Sequence, residues 1–329
     1  MNRRAFIAGA SLGVLAAPGS SVAQRVARTS RIGYLSLNHP WVARELLEVF
    51  RLALRDYGWN EGRNMVFEYR WAYGDPDRLP ELASDLVRAA VDVIVTPTEL
   101  TILAAMKATT TIPIVMVAAG DPVGSGLIVS LAQPGGNVTG LSSFSPELGG
   151  KRLELLREAI PRLSRVAVLW NGDNPAKAHE LSQTQTAARS LGVVLQSLPV
   201  RGLAPDFPKA FAAMKAERAE AAIVLGDALT FRLRSEIAAM ASANRVPTMW
   251  ESRTFMDVGG LISYGPDLRD RFRRAARYVD RILRGSKPLD LPVEQPTTFE
   301  LVINLKTATA LRLTIPQTLL LQADQVVDP

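Results

Sequence analysis

Residues 92 to 118 read DVIVTPTELTILAAMKATTTIPIVMVA. Asp92 to Thr96 is a short β-branched run, Glu99 to Thr109 a helical stretch, and Ile112 to Ala118 a second apolar run. A short unbroken apolar run is how a strand covered on both faces reads, and two of them joined through a helix make a parallel β-α-β unit. The same alternation extends outward in both directions. Upstream, Arg31 to Ser36 is a strand. Trp41 to Tyr57 is a helix, with Val42, Leu46, Leu47, Phe50 and Leu54 at helical spacing. Met65 to Trp71 alternates apolar and polar residues as a half-exposed strand does, and Asp77 to Ala90 is a helix.

After Gly140 a second series begins. Helices are expected over 145–160, 176–191, 205–218 and 230–244, with strands over 165–170, 193–199, 221–225 and 246–250. Leu261 to Tyr264 reads as a return strand and Leu268 to Arg284 as a helix, before a Pro- and Gly-rich stretch over 285–296. The fold class is therefore α/β, with two Rossmann-like lobes on parallel sheets joined by a hinge of more than one crossing. The expected division puts 31–141 in the first lobe and 142–260 in the second. Residues 261–329 return to the first, with the tail shared between lobes. Hinge loops are expected near Ser142 and Gly260.

The first 23 residues read as an address. Arg3 and Arg4 precede an apolar run from Phe6 to Ala17, and Ser21-Val22-Ala23 presents small residues for a signal peptidase. The run is too short for a bilayer, which needs about 20 residues. The expectation is a cleaved leader, export and a periplasmic location, by the twin-arginine or the Sec route. Without those two arginines the net charge of +6 falls by 2 to +4. The basic residues are interleaved with acids, so no nucleic-acid track is expected. The cluster Arg269, Arg271, Arg273, Arg274 and Arg277 reads as the solvated face of a helix. The chain has no Cys and two His, which leaves a lipid anchor, disulfides and a His/Cys metal site without donors. Phosphate-loop, dinucleotide and nucleophile-elbow motifs are missing too, so no cofactor and no catalytic group is expected.

Polar residues instead gather at the carboxyl ends of the expected strands, where open α/β sheets bind ligands. They are Ser36, Asn38, Thr96, Thr98 and Asp121 in the first series, and Asn171, Asn174, Asp227 and Glu251 in the second. Trp250 and Tyr264 stand there as rings able to stack on a ligand. Each polar residue is equally suited to capping a helix.

Several segments carry a resemblance. Ile112-Pro113-Ile114-Val115, Asp121-Pro122-Val123 followed by Gly126-Leu127, and Pro134 to Gly140 (PGGNVTG) are three of them. Ser263-Tyr264-Gly265-Pro266-Asp267, Ile282-Leu283-Arg284-Gly285, Leu291 to Pro296 (LPVEQP) and Phe299 to Asn304 (FELVIN) complete the set. Together they resemble the ABC-transporter substrate-binding family that includes the binding proteins of tryptophan and tyrosine importers. Arg312 departs from that pattern, which usually has Gly after a helix there. The resemblance implies a type I periplasmic binding fold that closes on a small molecule and presents it to a membrane permease with its cytoplasmic ATPase. That permease would be the only membrane contact. It also implies a carboxylate at Thr96 and Thr98, an ammonium at Asp121 or Asp227, and an apolar moiety under Tyr264 or Trp250. A periplasmic sensor partner and a periplasmic enzyme are the other readings, and a repressor is disfavoured because an export signal occupies the end where a DNA-binding helix-turn-helix would stand.

Overall fold

The computed structural model describes residues 29–143 and 148–328. The expected leader lies outside them, as do the first residues of the helix expected from Ser145. In the first lobe β1 (Ser30–Ser36), α1 (Pro40–Asp56), β2 (Met65–Trp71), α2 (Leu79–Arg88), β3 (Val93–Thr96), α3 (Glu99–Ala108), β4 (Ile114–Ala119) and β5 (Val138–Ser142) follow in order. Their sheet runs β2-β1-β3-β4-β5, parallel throughout.

The second lobe starts with α4 (Leu148–Ala159), β6 (Arg165–Asn171), α5 (Pro175–Ser190), β7 (Val194–Val200), α6 (Phe207–Ala216) and β8 (Ala221–Val224). It continues with α7 (Ala228–Arg232), α8 (Arg234–Ala243), β9 (Thr248–Trp250) and β10 (Ile262–Gly265). After α9 (Leu268–Leu283) come β11 (Glu300–Asn304), α10 (Leu305–Leu311), α11 (Gln317–Gln322) and β12 (Gln325–Val327). The second sheet runs β12-β11-β10-β9-β8-β6-β7.

The return strand is not where its position in the chain suggested. β10 pairs parallel with β9, Ile262 beside Met249, and antiparallel with β11, so it belongs to the second sheet. The chain comes back to the first lobe with α9, whose Phe272, Ala275, Ala276 and Val279 pack with Ile32, Phe50, Val95 and Val115. It leaves again after Glu294, whose backbone joins Gly140 and Ser142 at the end of β5. The lobes are therefore joined at three places: after Ser143, at Pro266-Asp267, and between Glu294 and Glu300. The second of these replaces the hinge expected near Gly260. Gly260 instead closes the turn between β9 and β10, inside the second lobe.

Gly140 and Arg312 are among the backbone positions that depart from the ordinary φ range. Gly140 has φ +129°, and a side-chain carbon there would collide with the Met116 carbonyl oxygen of the neighbouring strand, so only glycine lets β5 approach β4 this closely. Arg312 takes the left-handed conformation, φ 58°, that ends α10. The helix stop is kept without glycine, at the conformational cost a side chain incurs there.

Candidate ligand-binding cleft

Between the two lobes lies a cavity of ≈ 150 Å³ walled by strand ends and helix starts from both sheets. Ser36 ends β1 and Asn38 follows it, and Thr98 caps α3 with its side chain against Thr101. Asp227 follows β8 and caps α7, and Glu251 follows β9. These five, all expected at the site, line the cavity. Leu46, Phe231, Phe255, Leu268 and Phe272, with Tyr34, give the cavity an apolar lining. Phe231 meets Phe255 edge-on at 5.8 Å between ring centres.

The other six expected residues do not line it. Thr96 is fully buried and turns its hydroxyl to the Val115 carbonyl at 3.4 Å. Asn171 and Asn174 are buried behind Asp227 and donate to its two carboxylate oxygens at 2.7 and 2.8 Å. They orient the acid, which also accepts from the Leu229 amide at 2.8 Å. Trp250 stacks on the far side of Phe255 at 4.6 Å, and Tyr264 packs on Phe299. Asp121 closes its own turn through the Gly124 amide and lies 3.8 Å from His179 of α5. In each case the side chain serves the loop or the core, as Ser, Thr, Asn and Asp at strand ends commonly do.

Helices of both lobes also bring buried charge to the cavity. Arg152 of α4 is fully buried, with Nη1 3.1 Å from Glu251 and 3.5 Å from Glu180, and Nε donating to the Tyr264 carbonyl at 2.9 Å. Lys177 of α5 holds Glu180 at 2.7 Å. Arg271 of α9 and Glu99 of α3 also line the cavity, and Glu99 accepts from the Gly120 amide. Arg271 thus departs from the solvated cluster in which its neighbours read. A pattern was there to be found. Arg271 shares a stripe with Leu268, Ala275 and Val279, and Arg152 one with Leu148, Leu155 and Ala159, the spacing of a buried helix face.

Burial, with Glu251 beside it, pushes Glu180 up to about 8. Burial would raise Glu251 as well, but Arg152 and Lys177 outweigh it and hold that carboxyl at about 2. The ammonium of Lys177, which burial alone would lower, is held above its usual range by Glu180 and Glu251. A carboxyl raised in the folded state favours folding at pH below its ordinary 4.5, and that contribution disappears as pH rises to about 8. The melting temperature of the wild type is therefore expected to fall relative to that of Glu180→Gln between pH 5 and 9. Parallel melting curves for the two proteins would show that Glu180 is ionised throughout.

The model of the family described as ABC transporter substrate binding protein matches residues 37–327. A tyrosine-binding protein of Clostridioides difficile is 26% identical over 262 residues, covering 80% of this chain and 75% of that one. Two solved structures have the same fold. A conserved domain protein from Vibrio cholerae has a TM-score of 0.85 at 29% identity, over 91% of this chain and all of that one. A pneumococcal ABC domain in complex with L-Trp has a TM-score of 0.83 at 23% identity, over the same shares. A sequence match along almost the whole chain, on a two-lobed fold with a cavity between the lobes, makes this protein a member of the ABC-transporter substrate-binding family.

Proposed function

We propose that this protein is exported to the periplasm, where it captures an amino acid with an apolar or aromatic side chain and hands it to an ABC permease. One observation carries the ligand class: one cavity is lined both by the rings of Tyr34, Phe231, Phe255 and Phe272 and by fixed charges of both signs. An apolar wall with a few convergent polar groups suits a solute that is greasy at one end and zwitterionic at the other. Asp227, aimed by Asn171 and Asn174, faces the ammonium, and the apolar ring holds the side chain. The tyrosine-binding and L-Trp-bound relatives support the same class. Because both lobes contribute walls, ligand favours the closed form, the state a permease would read. The residues offer positioning and charge rather than an activated nucleophile, which fits capture and release of the solute unchanged.

A thermal-shift screen of the chain from Gln24 against the twenty amino acids, sugars and polyamines, with calorimetry on each hit, tests the ligand class. A ligand at 100 times its dissociation constant adds about 2.7 kcal/mol of stability. Saturable shifts confined to apolar and aromatic amino acids are expected, and shifts by sugars or polyamines alone would refute the reading. Cell fractionation of the full chain beside an Arg3→Lys/Arg4→Lys variant tests the export route.

A further inference from the structure

Arg271 is 3% exposed and lines the cavity, yet among the described residues its guanidinium makes one hydrogen bond, to the Ser142 carbonyl. Among the described residues no carboxylate lies within ion-pair distance of it. Glu99 is the acid that acts on it most strongly, and that side chain is turned to the Gly120 amide. Burial pulls Arg271 down to about 9, which still leaves it cationic at neutral pH. A buried cation without a counter-ion is rare, because desolvation is unfavourable unless an opposite charge compensates it. Arg152 enters the same cavity from the second lobe. Three of its hydrogen bonds are made, to Glu251, Glu180 and Tyr264, and Nη2 is buried with no partner.

We propose that Arg271 and Arg152 form the two halves of a carboxylate clamp, one from each lobe, and that the cargo of this protein carries a carboxylate that lodges between them. The proposal rests on the reading of the cleft as the ligand site and names the group recognised there. A carboxylate in that position supplies the counter-ion Arg271 lacks and the acceptor Arg152 Nη2 lacks. One small anion then satisfies donors on both lobes, so its binding energy is available only when they are closed. The acceptor left free at the cavity is Asn38 Oδ1, buried without a partner, and with the negative charge of Asp227 on the same lining it suits an ammonium. A doubly charged anion such as phosphate is disfavoured, because Glu99, Glu251 and Asp227 line the same small space.

The test compares L-phenylalanine, L-tyrosine, L-tryptophan and L-leucine with their primary amides by calorimetry, on the wild type, Arg271→Met and Arg271→Lys. The wild type is expected to bind at least one amino acid and to lose affinity for its amide on the order of 100-fold, the effect of removing one partner of a buried charge pair. Arg271→Met is expected to bind the amino acid no better than the wild type binds the amide, and Arg271→Lys to fall between. Melting in the absence of ligand is the second readout. A guanidinium held for the ligand burdens the empty protein, so Arg271→Met should melt at or above the wild-type temperature. An amide that binds as well as its acid, or an unaffected Arg271→Met, overturns the clamp and leaves the amino-acid reading standing. If none of the four binds, native mass spectrometry of whatever co-purifies decides. A carboxylic acid without an ammonium keeps the clamp and removes the amino-acid reading, and a solute with no carboxylate removes both. Should nothing co-purify, a fall of several degrees in the melting temperature of empty Arg271→Met assigns the guanidinium to the fold and overturns the clamp, whereas an equal or higher value upholds it.

Discussion

Replacing Arg152 with methionine lowers the midpoint of thermal unfolding by on the order of 10 °C. The methionine fills the apolar part of the arginine stem, so cavity formation is a small part of the effect. The loss is electrostatic. Arg152 Nη1 lies between Glu251 at 3.1 Å and Glu180 at 3.5 Å, and all three side chains are sealed or nearly so. Without the guanidinium two acids face each other with Lys177 as the nearest cation, and the Tyr264 carbonyl loses its donor. Removing one partner of a buried pair costs about 3–5 kcal/mol, and in a domain of 150–250 residues each kcal/mol moves the midpoint by roughly 2–4 °C. Calorimetric melting measures the drop, and a shift below about 2 °C would mean that water reaches these charges. Adding Glu251→Gln to Arg152→Met is expected to recover part of the loss, since it removes one of the two orphaned acids.

The second large effect falls on affinity. Asp227→Asn is expected to weaken ligand binding on the order of 100-fold, with a stability loss of about 1–2 kcal/mol. The substitution is nearly isosteric, but the carboxylate accepts from Asn171 Nδ2, Asn174 Nδ2 and the Leu229 amide. An asparagine there turns an NH2 group toward one of those donors and leaves a buried N–H unpaired. It also removes the negative charge proposed to face the ligand ammonium. Titration calorimetry with the tightest amino acid found in the screen measures the change. Asn174→Ala separates the two causes, because it keeps the charge and removes one orienting hydrogen bond. Its affinity should fall by no more than about 10-fold. Equal losses for the two variants would show that the orientation of Asp227 matters and its charge does not.

Arg271 and Glu180 illustrate a general point about charge in helices. Four of the five arginines read from residues 269 to 277 keep partial or full solvent contact, and the fifth is buried. Composition treats them alike, because it counts charge without regard to the side of the helix. Spacing does distinguish them. Arg271 repeats with Leu268, Ala275 and Val279, and a charged residue on an apolar stripe is either paired inside or held there for a ligand.

The α/β class, the alternation of strands and helices, and the placing of polar residues at strand ends were set by local physics. Apolar runs between turn residues make buried strands wherever they occur, and helices follow from the 3.6-residue spacing of Leu46, Phe50 and Leu54 in α1 or Phe272, Ala276 and Val279 in α9. Which sheet a strand joins is a long-range property. Nothing within Ile262 to Gly265 distinguishes an edge of the first lobe from a place beside Met249, and the pairing with β9 and β11 decided it. The same holds for the cleft. Ser36, Asn38, Thr98, Asp227 and Glu251 reach it because their strand ends open between the lobes, while Thr96, Asn171 and Asn174, with the same chemistry nearby, face a carbonyl or Asp227. Spacing put Arg152 and Arg271 on buried helix faces, but the partners of Arg152, Lys177, Glu180 and Arg271 came from packing, since three helices distant in the chain bring them together. The sequence by itself determined the elements and the end of each strand where chemistry collects, both local consequences of spacing and turn chemistry. The partner of each side chain was decided in three dimensions, where a shift of a few ångströms separates a helix cap from a ligand contact.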